Sequence, residues 1–84
     1  MLLSYFLYIL LCGDGSFYTG ITTDLKQRFL DHKAGKGGAY TRSHKPVKFV
    51  YQETYGSRSN ALKREAQIKG WPRAKKLQIL KLVF

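Results

Sequence analysis

The chain is poor in cysteine and poor in acids, and each shortage excludes something. Cys12 is the single cysteine among 84 residues, so neither an intrachain disulfide nor a cysteine-based zinc site can form. A reducing compartment, the cytoplasm, is the expectation. No apolar run reaches the roughly 20 residues that span a bilayer, so no membrane insertion is expected. The apolar start from Met1 to Cys12 has no preceding basic residue and no small-residue cleavage pattern after it. It therefore reads as a buried central strand rather than a signal peptide. Repeats and low-complexity linkers are absent as well. A domain of this size buries only about 60% of the surface its unfolded chain exposes, which leaves no room for a second core. One domain over residues 1–84 is expected.

The five Asp and Glu stand against fifteen Lys and Arg, a net charge of +10. A field of that sign on a small body attracts polyanions, most commonly nucleic acid, although a merely solvated basic surface is the other reading. The excess is steepest late in the chain. From Thr54 onward come Arg58, Lys63, Arg64, Lys69, Arg73, Lys75, Lys76 and Lys81, with Glu65 the only acid. Hydrophobic residues make up 44% of the chain and aromatics 14%, too apolar for intrinsic disorder. Six tyrosines are many for this length. Tyrosine can pack, donate a hydrogen bond or stack on a base, so abundance alone does not choose among these roles.

Two aromatic-rich segments, Phe6-Leu7-Tyr8 and Tyr18-Thr19-Gly20, flank the loop Cys12-Gly13-Asp14-Gly15-Ser16. The pattern predicts a β-hairpin, Tyr5 to Leu11 and Phe17 to Thr22, that brings Tyr8 and Tyr18 together. Thr23 or Asp24 can cap a helix to about Ala34, with Gln27 completing a capping box if Asp24 is the cap, and Gly35 ends it. Lys36 to Lys45 has no clear period and reads as a mobile basic loop. After Pro46, the alternation of Val47, Phe49 and Tyr51 with Lys48 and Gln52 predicts a third strand with one polar face. Ser57 or Ser59 can cap a helix to Lys69, Gly70 ends it, and Pro72 suits the first turn of another. Leu77, Ile79, Leu80 and Val83 would pack the apolar face of that last helix. The fold class is α+β, a small three-stranded antiparallel sheet flanked by helices in the order β-β-α-β-α-α.

Arg28 and His32 are four apart, one helical turn, and border the stripe of Leu25 and Phe29. They are either a snorkelling Arg and a half-buried His making local bonds, or part of a site pointed at the sheet. Glu65 projects between Ala61 and Ile68 on one side and Leu62 and Ala66 on the other, in the middle of an apolar face. A carboxylate there costs several kcal/mol of desolvation, of order, unless something compensates it. An ion pair with Arg28 or Lys69 would do so, and so would a divalent metal held by one carboxylate and several waters. Two tyrosines, an Arg, a His and a Glu form a set suited to phosphodiester cleavage.

On these residues the chain resembles a GIY-YIG nuclease domain, and within that superfamily its small stand-alone bacterial branch. The matching stretches are Tyr5-Phe6-Leu7-Tyr8-Ile9-Leu10, Phe17-Tyr18-Thr19-Gly20-Ile21-Thr22-Thr23-Asp24-Leu25, Arg28 to His32, and Ala61-Leu62-Lys63-Arg64-Glu65 through Ile68-Lys69-Gly70-Trp71. Phe6-Leu7 stand where the Gly-Ile of the name would be. The resemblance implies motif tyrosines at Tyr8 and Tyr18, a catalytic arginine at Arg28, a histidine one turn on at His32, and a metal-binding glutamate at Glu65. It implies a single Mg²⁺ or Mn²⁺, with Tyr8 as base or relay, Tyr18 and His32 orienting it, and Arg28 stabilising the transition state. Relatives often carry an Asn after the glutamate; Arg73 to Leu82 holds none, and Lys69 is its partial substitute.

The implied activity is hydrolysis of DNA, in branched, damaged or otherwise distorted form. Nucleic-acid contacts are expected from Lys36, Arg42, Lys45, Lys69, Arg73, Lys75 and Lys76, with a protein partner or homodimer adding specificity. The alternatives are a non-catalytic nucleic-acid binder that keeps the fold, and an RNA-binding accessory protein whose tyrosines stack on unpaired bases.

Overall fold

The computed structural model describes residues 3–82. Strands β1 (Tyr5–Cys12), β2 (Phe17–Thr22) and β3 (Pro46–Tyr55) form one antiparallel sheet in the order β2-β1-β3. Helices α1 (Leu25–Lys33) and α2 (Ala39–Ser43) fall between β2 and β3, and α3 (Arg58–Lys69) and α4 (Arg73–Ile79) follow. This is the expected α+β arrangement with α2 added. Among the described residues no helix is long and apolar enough to cross a membrane.

The apolar start is the central strand because both its faces are covered. Leu7, Tyr8, Ile9 and Leu10 are all 1% exposed or less. Alternation sends Leu7 and Ile9 to one face, where Ile68, Leu80 and Leu82 complete the core. Tyr8 and Leu10 take the other face, where Phe49 meets both the Tyr8 and the Phe29 ring edge-on. The hairpin closes through Cys12 N–H to Ser16 O and Gly15 N–H to Cys12 O, both 2.9 Å, with Asp14 Oδ1 accepting from the Ser16 backbone and hydroxyl.

Asp24 caps α1 by accepting from Gln27 N–H at 3.0 Å. The capping box does not close, because the Gln27 amide bonds Asp31 one turn on and Thr22 Oγ1 takes the Asp24 N–H instead. Ser57 caps α3 and Gly70 ends it, as expected. Three expectations need correction. The stretch from Lys36 to Lys45 is not a structureless loop, since it contains α2, held by its buried Thr41. Phe49 and Tyr51 do not share a face: a register shift opposite Ile9 and Leu10 leaves Val50 extra, so Tyr51 pairs Ile9 while Phe49 pairs Leu10. In the last helix Ile79 is 53% exposed, and Leu82 beyond the helix fills the core beside Leu80. Val83 lies outside the described residues.

Candidate active site

The strand register fixes the tyrosine pair. Tyr8 lies opposite Gly20 and Leu10 opposite Tyr18, so the two tyrosines are diagonal neighbours on one face with ring centroids 6.3 Å apart. Gly20 makes room for this: a Cβ there would sit 2.5 Å from Tyr8 Oη. The phenol ring therefore lies across β2 without a side chain beneath it.

Helix α1 places Arg28 and His32 over the same face, and both reach across to the strand. His32 is fully buried, with Nε2 2.8 Å from Tyr8 Oη and Nδ1 2.6 Å from Thr41 Oγ1. Arg28 donates from Nε to Tyr8 Oη at 3.3 Å and from Nη2 to the Gly37 carbonyl at 3.0 Å. The Gly37 backbone runs so close to the imidazole that any Cβ would collide with it. A snorkelling Arg and a half-buried His with local bonds do not describe this pair.

Because Arg28 can only donate, Tyr8 Oη is its acceptor and the phenol proton remains to be given to His32 Nε2. His32 then carries its own proton on Nδ1 and donates to Thr41, an assignment that satisfies all three groups. Burial pushes the Tyr8 pKa up to about 12, against the pull of the Arg28 hydrogen bond and charge. Burial and then the Arg28 charge hold His32 below its ordinary value. The hydrogen bond to Tyr8 raises Arg28 further. The centre is thus a cation facing a neutral phenol and a neutral imidazole.

Glu65 is not in the middle of an apolar face. The sheet meets α3 along Ala61 and Ile68, both 0% exposed, while Ala66 is turned to solvent, so Glu65 sits on one flank of the buried line and Arg64 on the other. Its side chain is 18% exposed and its carboxylate lies 3.4 Å from Lys69 Nζ. Of the two cations named for it, Lys69 is the one it pairs with. Lys69 Nζ in turn stands 6.0 Å from the Tyr18 ring centroid, and the Glu65 charge adds to the upward push on Tyr8. The glutamate therefore borders the tyrosine wall.

The remaining cations separate into groups. Lys36, Arg42 and Lys45 are exposed around α2. Lys76 feels the Lys69 charge, which together with burial lowers its pKa. Arg73 donates to the Gly15 carbonyl and lies 4.2 Å over Phe17, and Lys75 lies 5.0 Å over Trp71, so these two pin α4 to the rest of the fold. Sequence reasoning missed Thr41 and Tyr40, which sit in a segment without periodicity. It also missed Glu53, which accepts from the Tyr51 and Tyr55 hydroxyls and from Arg64. The period-two spacing of residues 51, 53 and 55 was the available signal for that cluster.

The profile described as the GIY-YIG catalytic domain matches residues 4–78. The chain belongs to the GIY-YIG family. Within it, a UPF0213 protein of Staphylococcus epidermidis is 49% identical over 76 residues, covering 90% of this chain and 93% of that protein. A UPF0213 protein of Staphylococcus aureus is 49% identical over 78 residues, covering 93% and 95%. Two solution NMR structures are similar: the UPF0213 protein of Bacillus halodurans, with 40% identity and a TM-score of 0.60, and a protein of E. faecalis, with 41% and 0.65. Each alignment covers 93% of this chain and 83% of the other. GIY-YIG membership assigns the chain to a nuclease family.

Among the described residues no group of three or more His, Cys, Asp or Glu is placed to hold a metal. One partly exposed carboxylate, paired with Lys69 and near enough for its charge to act on Tyr8, fits a hard ion of the Mg²⁺ type, which keeps several waters and shares substrate phosphate oxygens.

Proposed function

We propose that the protein is a metal-dependent endonuclease that hydrolyses phosphodiester bonds in DNA, branched or damaged forms included, and works in the cytoplasm. The observation that carries this reading is the Tyr8 hydroxyl held between Arg28 and His32 with no carboxylate in the set.

Tyr8 and His32 are neutral near pH 7, so Tyr8 acts as a relay rather than a standing base. The attacking water gives a proton to Tyr8 Oη as the phenol proton passes to His32 Nε2, and Thr41 steadies the resulting imidazolium at Nδ1. Tyr18 packs on His32 at 4.9 Å between centroids and keeps both rings aligned. Arg28 has donors beyond its bonds to Tyr8 and Gly37, and these take a phosphate oxygen and stabilise the charge that grows there. The phosphorus bond to the sugar oxygen breaks with its electron pair on that oxygen, which takes a proton from solvent. Glu65 would hold Mg²⁺ or Mn²⁺, which when bound supplies positive charge at the phosphate and the leaving oxygen. Lys36, Arg42, Lys45, Lys69 and Lys76 contribute attraction for the polyanion, with a protein partner or a second copy adding specificity.

The test is nicking of plasmid and branched DNA with Mg²⁺ or Mn²⁺. Parent protein should cleave, Arg28→Ala should cleave far more slowly and Glu65→Ala should not cleave; variants that cleave as well as the parent would sink the assignment. The Lys69 to Glu65 contact favours a second reading, a non-catalytic nucleic-acid binder in which that pair is purely structural. Under it Glu65→Gln lowers the melting temperature and Mg²⁺ does not raise that of the parent.

A further inference from the structure

The face that carries Tyr8 continues outward as a series of aromatic rings that the hydrolytic step does not use. Tyr18 stacks with Tyr40 at 5.8 Å and 29°, and Tyr40 stacks with His44 at 4.1 Å and 8°. Tyr40 is 38% exposed and the His44 side chain 35%, so the outer end of this series is open to solvent. Its parts are nonetheless held in place. His44 bonds the Tyr40 carbonyl through Nδ1 at 2.9 Å and approaches Asp14 Oδ2 through Nε2 at 3.5 Å. Thr41, the residue after Tyr40, is fully buried and tied to His32 at 2.6 Å. Tyr40 thus lies between Tyr18 and His44, and the His44 ring ends the stack, fixed relative to the Tyr8 hydroxyl through the Thr41 and His32 hydrogen bonds. The flanking Lys36, Arg42 and Lys45 are exposed, and among the described residues none of them pairs with a carboxylate.

We propose that the His44 ring, backed by Tyr40, is a stacking platform for one unpaired nucleobase whose strand leads on to the Tyr8 and Arg28 centre. The proposal rests on the nucleic-acid reading above and narrows the substrate to a strand with an unstacked nucleotide. Any base has a face to stack, so the platform selects for an unpaired nucleotide and not for its identity. The cations around α2 hold the backbone on either side.

The test is binding without cleavage, in EDTA, of a duplex with a one-nucleotide bulge and of the same duplex with that nucleotide made abasic. Parent protein should bind the base-bearing bulge about 5- to 100-fold more tightly, the range that stacking of one base provides. Tyr40→Phe should keep this ratio. His44→Leu, which fills similar space without a π face, should bring it to one, and Tyr40→Leu, which removes the ring backing His44, should reduce it. Melting temperatures of these variants should match the parent, since both side chains are partly exposed. Equal binding of the two duplexes by the parent, or an unchanged ratio in His44→Leu, would overturn the platform, as would failure to bind either duplex. If the ratio behaves as expected while Mg²⁺ supports no nicking, the nuclease reading fails and the platform stands.

Discussion

Two tyrosine clusters lie on opposite faces of one sheet, and α3 serves both from its two flanks. On the face of Leu7 and Ile9, Tyr51 and Tyr55 donate to Glu53, and Arg64 donates to both Glu53 oxygens from Nε at 3.1 and 3.2 Å. Arg64 also bonds Gln67 and lies over Trp71. The charges there are paired with each other, Glu53 accepting from both phenols and from Arg64. On the other face the same residue types, Tyr and Arg, meet without a carboxylate. Arg28 faces a phenol and a carbonyl, and among the described residues it forms no salt bridge. Under the proposed function a substrate phosphate would supply the anion that Arg28 lacks among the described residues.

Breaking each cluster should therefore give opposite results. Arg28→Ala should cut the cleavage rate by about 10² to 10³-fold, the scale of one lost transition-state donor, with little change in melting temperature. Glu53→Ala leaves two phenols and a guanidinium without their acceptor. It should lower stability by about 1–3 kcal/mol, roughly 5–20 °C in a domain of this size, while cleavage below the new melting point stays near the parent rate. Thermal melts and single-turnover nicking on both variants check the pair of outcomes. Equal effects of the two substitutions on stability would remove the distinction between the clusters.

The pH response sharpens the same contrast. In the proposed step neutral His32 accepts the proton, and burial holds its pKa below the ordinary 6.5, so the cleavage rate should hold as pH falls past that value and drop only at more acidic pH. Tyr8 keeps its proton through pH 10 because its pKa is raised to about 12. The signs for stability follow. The Tyr8 contribution is complete below pH 10 and is lost as pH rises toward 12, since only the unfolded chain releases the proton in that window. The His32 contribution is complete above 6.5 and is lost as pH falls through its lowered folded value. Melting temperatures of the parent and Tyr8→Phe across the alkaline range check the first: the variant should lose less stability between pH 10 and 12.

Much of this was legible before any coordinates. The three strands and the helices other than α2 follow from periodicities of two and 3.6, Asp24 and Ser57 are each one of two candidate caps, and the approach of Arg28 and His32 to Tyr8 is one of the two readings that their spacing allows. What was hidden depends on contacts between distant segments. Thr41 earns no notice in a segment of Gly, Ser and cations, because its burial comes from the imidazole it meets nine residues back. The register shift that turns Phe49 toward Tyr8 and Tyr51 toward Ile9 has no mark in the alternation itself. Glu65 flanks the buried line of α3 instead of standing in the middle of an apolar face, since a wheel shows which residues neighbour one another and not which line the sheet will meet.

A small expected stability effect is the most informative about that glutamate. Lys69 is 52% exposed and its contact with Glu65 is an i,i+4 pair on a helix surface, so the pair contributes about 0–1 kcal/mol. If Glu65 serves the site, Glu65→Gln should shift the melting temperature by only a few degrees, roughly, and yet abolish cleavage with Mg²⁺ or Mn²⁺. Millimolar metal should then raise the melting temperature of the parent and not of the variant, because only a folded site that binds the ion gains from it. A melting shift as large as that of Glu53→Ala, with no response of the parent to metal, would instead place Glu65 with Glu53, as a carboxylate whose whole task is to hold its neighbours.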